Sequence, residues 1–214
     1  MVNPMTSFSN PKLSKRLKHF STFYQGQSII WDIGCDHGQL GLSFVHHPHQ
    51  PAIHLVDPAL PVIKTLRMKL QDSDIPRVQV FHNKGQDLKL SSAQSHFIFI
   101  AGMGGPEIVS ILENLFPQLK EEDQVFISPH TKVLEVREFL RSQGECLLKE
   151  EVIFESGIWY PHFLLGRKGR LSSVFGDEIY QGEIGGQYRE HLIEKLSKHR
   201  DNNSKSYLNF LKNF

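Results

Sequence analysis

Ile30-Trp31-Asp32-Ile33-Gly34-Cys35-Asp36-His37-Gly38, followed after a helical stretch by His54-Leu55-Val56-Asp57, is the part of this chain whose reading decides the fold. An apolar strand ends in an acid and passes through a glycine-bearing loop into a helix. A second strand then ends in another acid. This is the front half of a nucleotide-cofactor site: glycines let backbone approach a ligand, and an acid closing the second strand accepts hydrogen bonds from ribose hydroxyls.

The glycine spacing then separates one cofactor from another. A dinucleotide loop needs G-x-G-x-x-G to seat a pyrophosphate on a helix N-terminus, but this loop has Gly34 and Gly38 with Asp36 at the third motif position. A carboxylate there repels a pyrophosphate. S-adenosylmethionine carries no phosphate and presents a cationic sulfonium and an amino group, which suit acids at Asp32 and Asp36. The expected cofactor contacts are Asp32, Gly34, Asp36, His37 and Gly38 around the methionine part, with Asp57 on the ribose.

A second glycine cluster, Ile98-Phe99-Ile100-Ala101-Gly102-Met103-Gly104-Gly105-Pro106, follows an apolar run. In a doubly wound sheet the loop after the fourth strand lies beside the loop after the first, so both face one ligand. Taken with Leu13-Ser14-Lys15-Arg16-Leu17 and Asp32-Ile33-Gly34-Cys35-Asp36-His37-Gly38-Gln39-Leu40, this cluster resembles the TrmK family, the bacterial tRNA adenine-22 N1-methyltransferases. Val136-Arg137-Glu138-Phe139-Leu140 is similar to the family's Arg-x-x-Leu helix, and Glu150-Glu151-Val152-Ile153-Phe154-Glu155-Ser156-Gly157 to its penultimate strand and hairpin. Two departures fall near the expected site. Ser128-Pro129-His130 stands where the family usually has Gln-Pro-Asn, and Gln86-Asp87-Leu88 where it has an acid before Gly-Leu.

The resemblance implies S-adenosylmethionine as cofactor, tRNA as partner, and methyl transfer to N1 of adenine 22. It places Gln86 and Asp87 near the cofactor's adenine, and Ala101, Gly102, Met103 and Gly104 beside the transferred methyl. Pro129 and His130 become candidates for the target-base pocket. Arg16 becomes a closure or RNA residue, with Lys12, Lys15 and Lys18 as phosphate contacts. Three other readings stay open: a methyltransferase for another substrate, a catalytically inactive cofactor- or RNA-binding member of the fold, and an NAD-dependent oxidoreductase.

Composition is that of a folded protein: 214 residues, 39% hydrophobic, 22% charged, formal charge +1. That net charge excludes a strongly basic nucleic-acid binder, yet the distribution is uneven. Residues 1–31 hold Lys12, Lys15, Arg16 and Lys18 with no acid, while residues 107–155 carry eleven acids against five bases. Phosphate attraction is local, falling off within about 10 Å at 0.1 M salt, so basic ends beside an acidic flank can orient RNA. The polar first residues lack a secretory signal, and no apolar run reaches the roughly 18 residues of a membrane span, so a cytoplasmic location is expected, with no membrane partner. A monomer is expected as well. Cys35 and Cys146 are expected as free thiols. No metal is expected: His46, His47 and His49 surround Pro48 without a partner at diagnostic spacing.

Periodicity predicts helices over 12–23, 39–46, 60–70, 107–115 and 133–142, and strands over 28–33, 52–56, 77–81, 96–100 and 124–127. A hairpin over 146–154 and 159–165 follows, then apolar stripes at Tyr188, Leu192, Ile193 and Leu196 and at Tyr207, Leu208, Phe210 and Leu211. The expected fold is α/β: a class I methyltransferase, Rossmann-like sheet, mostly parallel with one antiparallel strand, plus a small C-terminal helical extension. Residues 1–170 would form the methyltransferase domain with its N-terminal helix, and 171–214 the extension, whose stripes are packing surface.

Overall fold

The computed structural model describes residues 9–71, 75–198 and 202–214. Its strands are β1 (Ile29–Ile33), β2 (Ala52–Asp57), β3 (Val78–His82), β4 (His96–Met103), β5 (Gln124–Pro129), β6 (Glu145–Glu155), β7 (Ile158–Leu165) and the two-residue β8 (Arg170–Leu171). They form one sheet in the order β3-β2-β1-β4-β5-β7-β6-β8. The first five pair in parallel; β7 enters antiparallel between β5 and β6, and the short β8 adds an antiparallel edge to β6.

All five residues of β1 are buried because both faces of the sheet are covered. Its alternation divides the core. Ile29, Trp31 and Ile33 join Ile98, Ile100, Val125 and Ile127 under α4 (Gly105–Leu115) and α5 (Val133–Ser142). Ile30 joins Phe97, Phe99 and Phe126 on the other face, under α1 (Lys15–Ser21), α2 (Gln39–Leu42) and α3 (Leu60–Gln71).

Two helices are shorter than the periodicity predicts. Helix α1 starts at Lys15 rather than Lys12 because Ser14 caps it, its hydroxyl accepting from the Leu17 N–H at 3.3 Å. Helix α2 stops at Leu42 because the following amides of Phe44 and Val45 donate to carbonyls three residues back, tightening the chain into turns ahead of Pro48. Strand β4 runs further than expected, through a register shift between Ala101 and Met103. Helix α4 begins two residues early, with Pro106 in its first turn where no N–H is missed.

The C-terminal segment adds α6 (Gly182–Ser197) and α7 (Asn202–Asn213). As the stripes predicted, Tyr188, Tyr207 and Leu211 are buried in a third cluster with Ile179 and Tyr180, against Leu134, Val152 and Trp159. Beneath it lies an ion pair that periodicity did not reveal. Arg137 (α5) and Glu150 (β6) are 1% and 3% exposed and bind each other, while Glu150 Oε1 accepts from the Asp177 and Glu178 amides and from Arg170. Every oxygen of the buried carboxylate is thereby engaged, which is the condition for tolerating it there.

Candidate active site

Chain order reverses at β1, which pairs with β2 on one side and β4 on the other. The loops leaving β1 and β4 therefore meet at the carboxyl edge, the position where open α/β sheets bind ligands. Their approach is close: a Cβ on Gly34 would fall 2.6 Å from Met103 Cε. Gly34, Asp36 and Gly38 all have positive φ (+70°, +48° and +67°), so the loop rests on three left-handed residues, only two of them glycine.

Acids organise this loop. Asp57, at the end of β2, accepts from the Asp36 N–H at 3.2 Å and from the Ala59 N–H at 2.8 Å. Asp32 is 6% exposed and accepts from the Gly41 N–H at 2.8 Å, which anchors the first turn of α2. Burial pushes its carboxyl up to about 7, against the Gly41 hydrogen bond and with help from the Asp57 charge. Burial and the same acids push the Cys35 thiol far up, so Cys35 is a neutral packing residue; it and Cys146 are free and buried, as expected. His37 is open to solvent, 3.8 Å from Asp36 Oδ2 and three-quarters exposed.

The turn at Gly85–Asp87 follows β3. Gly85 has no room for a side chain between Ile33 and Ile111, and this wedge seats Gln86 beside α4, its Nε2 3.4 Å from Glu107 Oε1. Asp87 is exposed. Across the edge, the His130 N–H donates to the Met103 carbonyl at 3.0 Å and the Gly105 N–H to the Thr131 carbonyl at 2.9 Å, joining the loops after β4 and β5. The tight glycine in this cluster is Gly105. Its Cβ would meet the Lys132 and Thr131 carbonyl oxygens at 2.5 and 2.9 Å, whereas one on Gly104 meets the Thr131 hydroxyl at 3.2 Å and Pro106 at an ordinary 3.8 Å. Gly102 takes φ +87° in open space.

Helix α1 delivers Arg16 to this junction. Its guanidinium lies 4.2 Å over the Tyr160 ring and its Nη1 is 3.4 Å from His130 Nε2. The Arg16 backbone N–H is held by Glu155 of the β6–β7 turn at 3.0 Å, and its Nε is buried with no partner. Burial, then the Arg16 charge, lowers the His130 pKa and keeps the ring neutral. Pro129, buried, closes β5 opposite Met103. Lys12, Lys15 and Lys18 are exposed and stand outside this junction.

Tyr160, which lies inside the predicted hairpin and was not among the expected site residues, completes the junction. The antiparallel register that sets Ile127 against Phe163 brings Tyr160 to His130, with ring centroids 5.4 Å apart. The one available signal was the Tyr-Pro-His run itself, which says nothing about register. A cavity of about 650 Å³ opens beside His130, walled by Lys132, Trp159, Pro161, Tyr188, His191 and Lys195. Among the described residues no helix is long and apolar enough to cross a membrane.

Comparison with known proteins agrees with this edge. The family described as "Methyltransferase domain" matches residues 13–163. The tRNA (adenine(22)-N(1))-methyltransferase of Bacillus subtilis is 25% identical over 178 residues, covering 83% of this chain and 74% of that protein. A Streptococcus pneumoniae protein solved with S-adenosyl-L-methionine superposes with TM-score 0.81 at 22% identity, covering 94% of this chain and 99% of its own. TrmK from M. capricolum, solved with S-adenosyl-homocysteine, gives TM-score 0.74 at 20% identity over 94% and 93% of the two chains. The sheet order, the paired loops and the matched span together place this chain in the methyltransferase-domain family, as a relative of the TrmK enzymes.

Proposed function

We propose that this chain is an S-adenosylmethionine-dependent tRNA methyltransferase acting on N1 of adenine 22, with residues 1–170 as the catalytic unit and 171–214 as an extension that helps hold the RNA. The observation that carries it is the junction itself: an acid-lined cradle after β1 and β4, unsuited to a pyrophosphate, stands next to a cationic and aromatic perch made by Arg16, His130 and Tyr160. The relatives named above supply the choice of RNA and base.

The residues present fit the cofactor. Gly34 leaves open the space beside Met103 that a side chain would fill, and Asp57 keeps lone pairs for ribose hydroxyls beyond its two backbone donors. Asp36 sets a negative potential suited to a sulfonium and an amino group, to which Asp32 adds as it ionises, and Gln86 and Asp87 stand where an adenine would reach. S-adenosylmethionine supplies an electrophilic methyl group. Neutral adenine N1 already has a lone pair, so no residue has to remove a proton before transfer, and the protein acts by holding N1 in line and close. Met103, Gly104 and Pro129 wall that position. Positive charge develops on the adenine ring, and the acid-lined loop offers it a favourable potential. His130, neutral and accepting from Arg16 at Nε2, has its Nδ1–H left to donate to an acceptor atom of the base. Drawing the base from its stack costs a few kcal/mol, which Trp159 can offset by stacking and Lys132, Lys195 and the α1 lysines by phosphate contact.

The test is methyl incorporation into unmodified tRNA carrying adenine or guanine at position 22, followed by nucleoside analysis. N1-methyladenosine should form on the adenine substrate alone. Methylation of another base, or none by protein that binds the cofactor, overturns the assignment.

A further inference from the structure

We propose that His19, Glu151 and His162 form a binding site for a divalent first-row transition-metal ion, zinc fitting best, that pins the N-terminal helix to the β6–β7 hairpin. The three residues come from α1, β6 and β7, and Glu151 and His162 are direct register partners. His19 Nε2 lies 3.0 Å from Glu151 Oε2 and 3.2 Å from His162 Nε2, and the latter two atoms are 3.6 Å apart. Zinc holds nitrogen and oxygen ligands at about 2.0–2.1 Å, so neighbouring ligands of a tetrahedral site are about 3.3–3.4 Å apart. The observed triangle has the size of one face of that tetrahedron.

The chemistry of the three atoms agrees with the spacing. His162 Nδ1 is 3.0 Å from the Tyr160 carbonyl, which can only accept, so Nδ1 carries a proton and Nε2 is the nitrogen whose lone pair is available to a metal ion. Such a backbone carbonyl behind a histidine is the usual device that orients a metal ligand. His162 is fully buried, its ring wedged among Phe20, Phe23 and Phe126. Lys149 engages Oε1 of Glu151, leaving Oε2 to face the histidines. Two acceptors, His162 Nε2 and Glu151 Oε2, thus converge on the single His19 Nε2. With its proton on Nδ1 instead, His19 completes a two-histidine, one-carboxylate set. His19 and Glu151 also line a cavity of about 180 Å³, which gives a fourth ligand, water, its place.

The ion would act on the site through α1. Arg16 precedes His19 by one helical turn, and the same helix end is tied to the hairpin by the Arg16 N–H bond to Glu155. Fixing His19 on β6 and β7 therefore fixes the perch of Arg16 over Tyr160, a positioning effect separate from cofactor binding.

The experiment uses the full chain without a histidine tag, stripped by chelator and titrated calorimetrically with zinc. One ion per chain should bind with sub-micromolar affinity, cobalt should give the visible spectrum of a tetrahedral site, and zinc should raise the melting temperature. His19→Gln and Glu151→Gln, both at partly exposed positions, should each weaken binding by about 100-fold or more and abolish the thermal shift. Absence of stoichiometric zinc uptake by folded, stripped protein overturns the proposal. So does uptake that both substitutions leave unchanged, because the ion would then sit elsewhere, such as the loop of His46, His47 and His49.

Discussion

Asp57→Asn should weaken binding of S-adenosylmethionine by about 10- to 150-fold while leaving the protein folded. Asp57 is 7% exposed, and its two oxygens already receive the Ala59 and Asp36 amides at 2.8 and 3.2 Å. An anionic oxygen has a further lone pair for a ribose hydroxyl; an amide nitrogen has none. The substitution therefore removes one charge-assisted hydrogen bond to the ligand, worth about 1.5–3 kcal/mol, and 1.4 kcal/mol is about tenfold in affinity. It also sets the new NH2 against one backbone N–H, at a cost to stability of about 1–3 kcal/mol. Calorimetric titration with S-adenosylmethionine reads the first quantity and a urea melt reads the second. A folded variant with affinity within about threefold of the parent would refute the assignment of Asp57 to the ribose.

Asp32 makes a pH-dependent prediction. Its folded-state pKa of about 7 lies above the ordinary carboxylate value of 3.8, so the folded protein keeps this proton as the unfolded chain loses it, and stability declines from about pH 4 to about pH 7. Asp32→Asn, which keeps an acceptor for Gly41, should gain on the parent over that window by about 3 kcal/mol in urea melts; a difference that ignores pH would sink the reading. Gly105→Val should cost about 1–3 kcal/mol and loosen the β4 and β5 loops, because carbonyl oxygens at 2.5 and 2.9 Å cannot yield, whereas Gly104→Val should stay folded and lose methyl transfer; equal stability of all three proteins would contradict this. Glu150→Ala strands Arg137 in the core and should cost about 3–5 kcal/mol by urea melt, with a cost under 1 kcal/mol counting against a buried ion pair. Replacing Lys12, Lys15 and Lys18 together by Gln should weaken tRNA binding and lower its salt slope by about two, with cofactor affinity unchanged; an unaltered slope assigns RNA docking to α6 and α7.

Much of the cofactor edge could be read in advance because it is local. Acid-to-glycine loops at strand ends announce themselves through short-range chemistry, and the acids and glycines after β1 and β2 stand where the motifs put them, whereas β4 runs on past Ile100 to Met103. Reading failed where the deciding fact was packing. Gly104 and Gly105 are identical in composition and adjacent in sequence, yet only Gly105 abuts the backbone of the next loop. The ends of α1 and α2 were missed because a cap at Ser14 and a change to three-residue hydrogen bonding after Leu42 override apolar spacing.

What the amino-acid sequence determined by itself was the alternation of strands and helices, the cofactor class and the switch-point loops, because hydrophobic period, glycine spacing and strand-end acids act over a few residues. What only the tertiary structure decided were the meetings between distant segments. Arg16 reaches His130 and Tyr160 across 114 and more residues, and His19 meets Glu151 across 132. Those meetings depend on β7 entering antiparallel between β5 and β6, in a register that faces Tyr160 and His162 toward α1. A slip of one residue would turn both side chains to the opposite face of the sheet, and that choice is made by the packing of Phe20, Phe23 and Phe126 around His162, contacts that exist only once the sheet has closed.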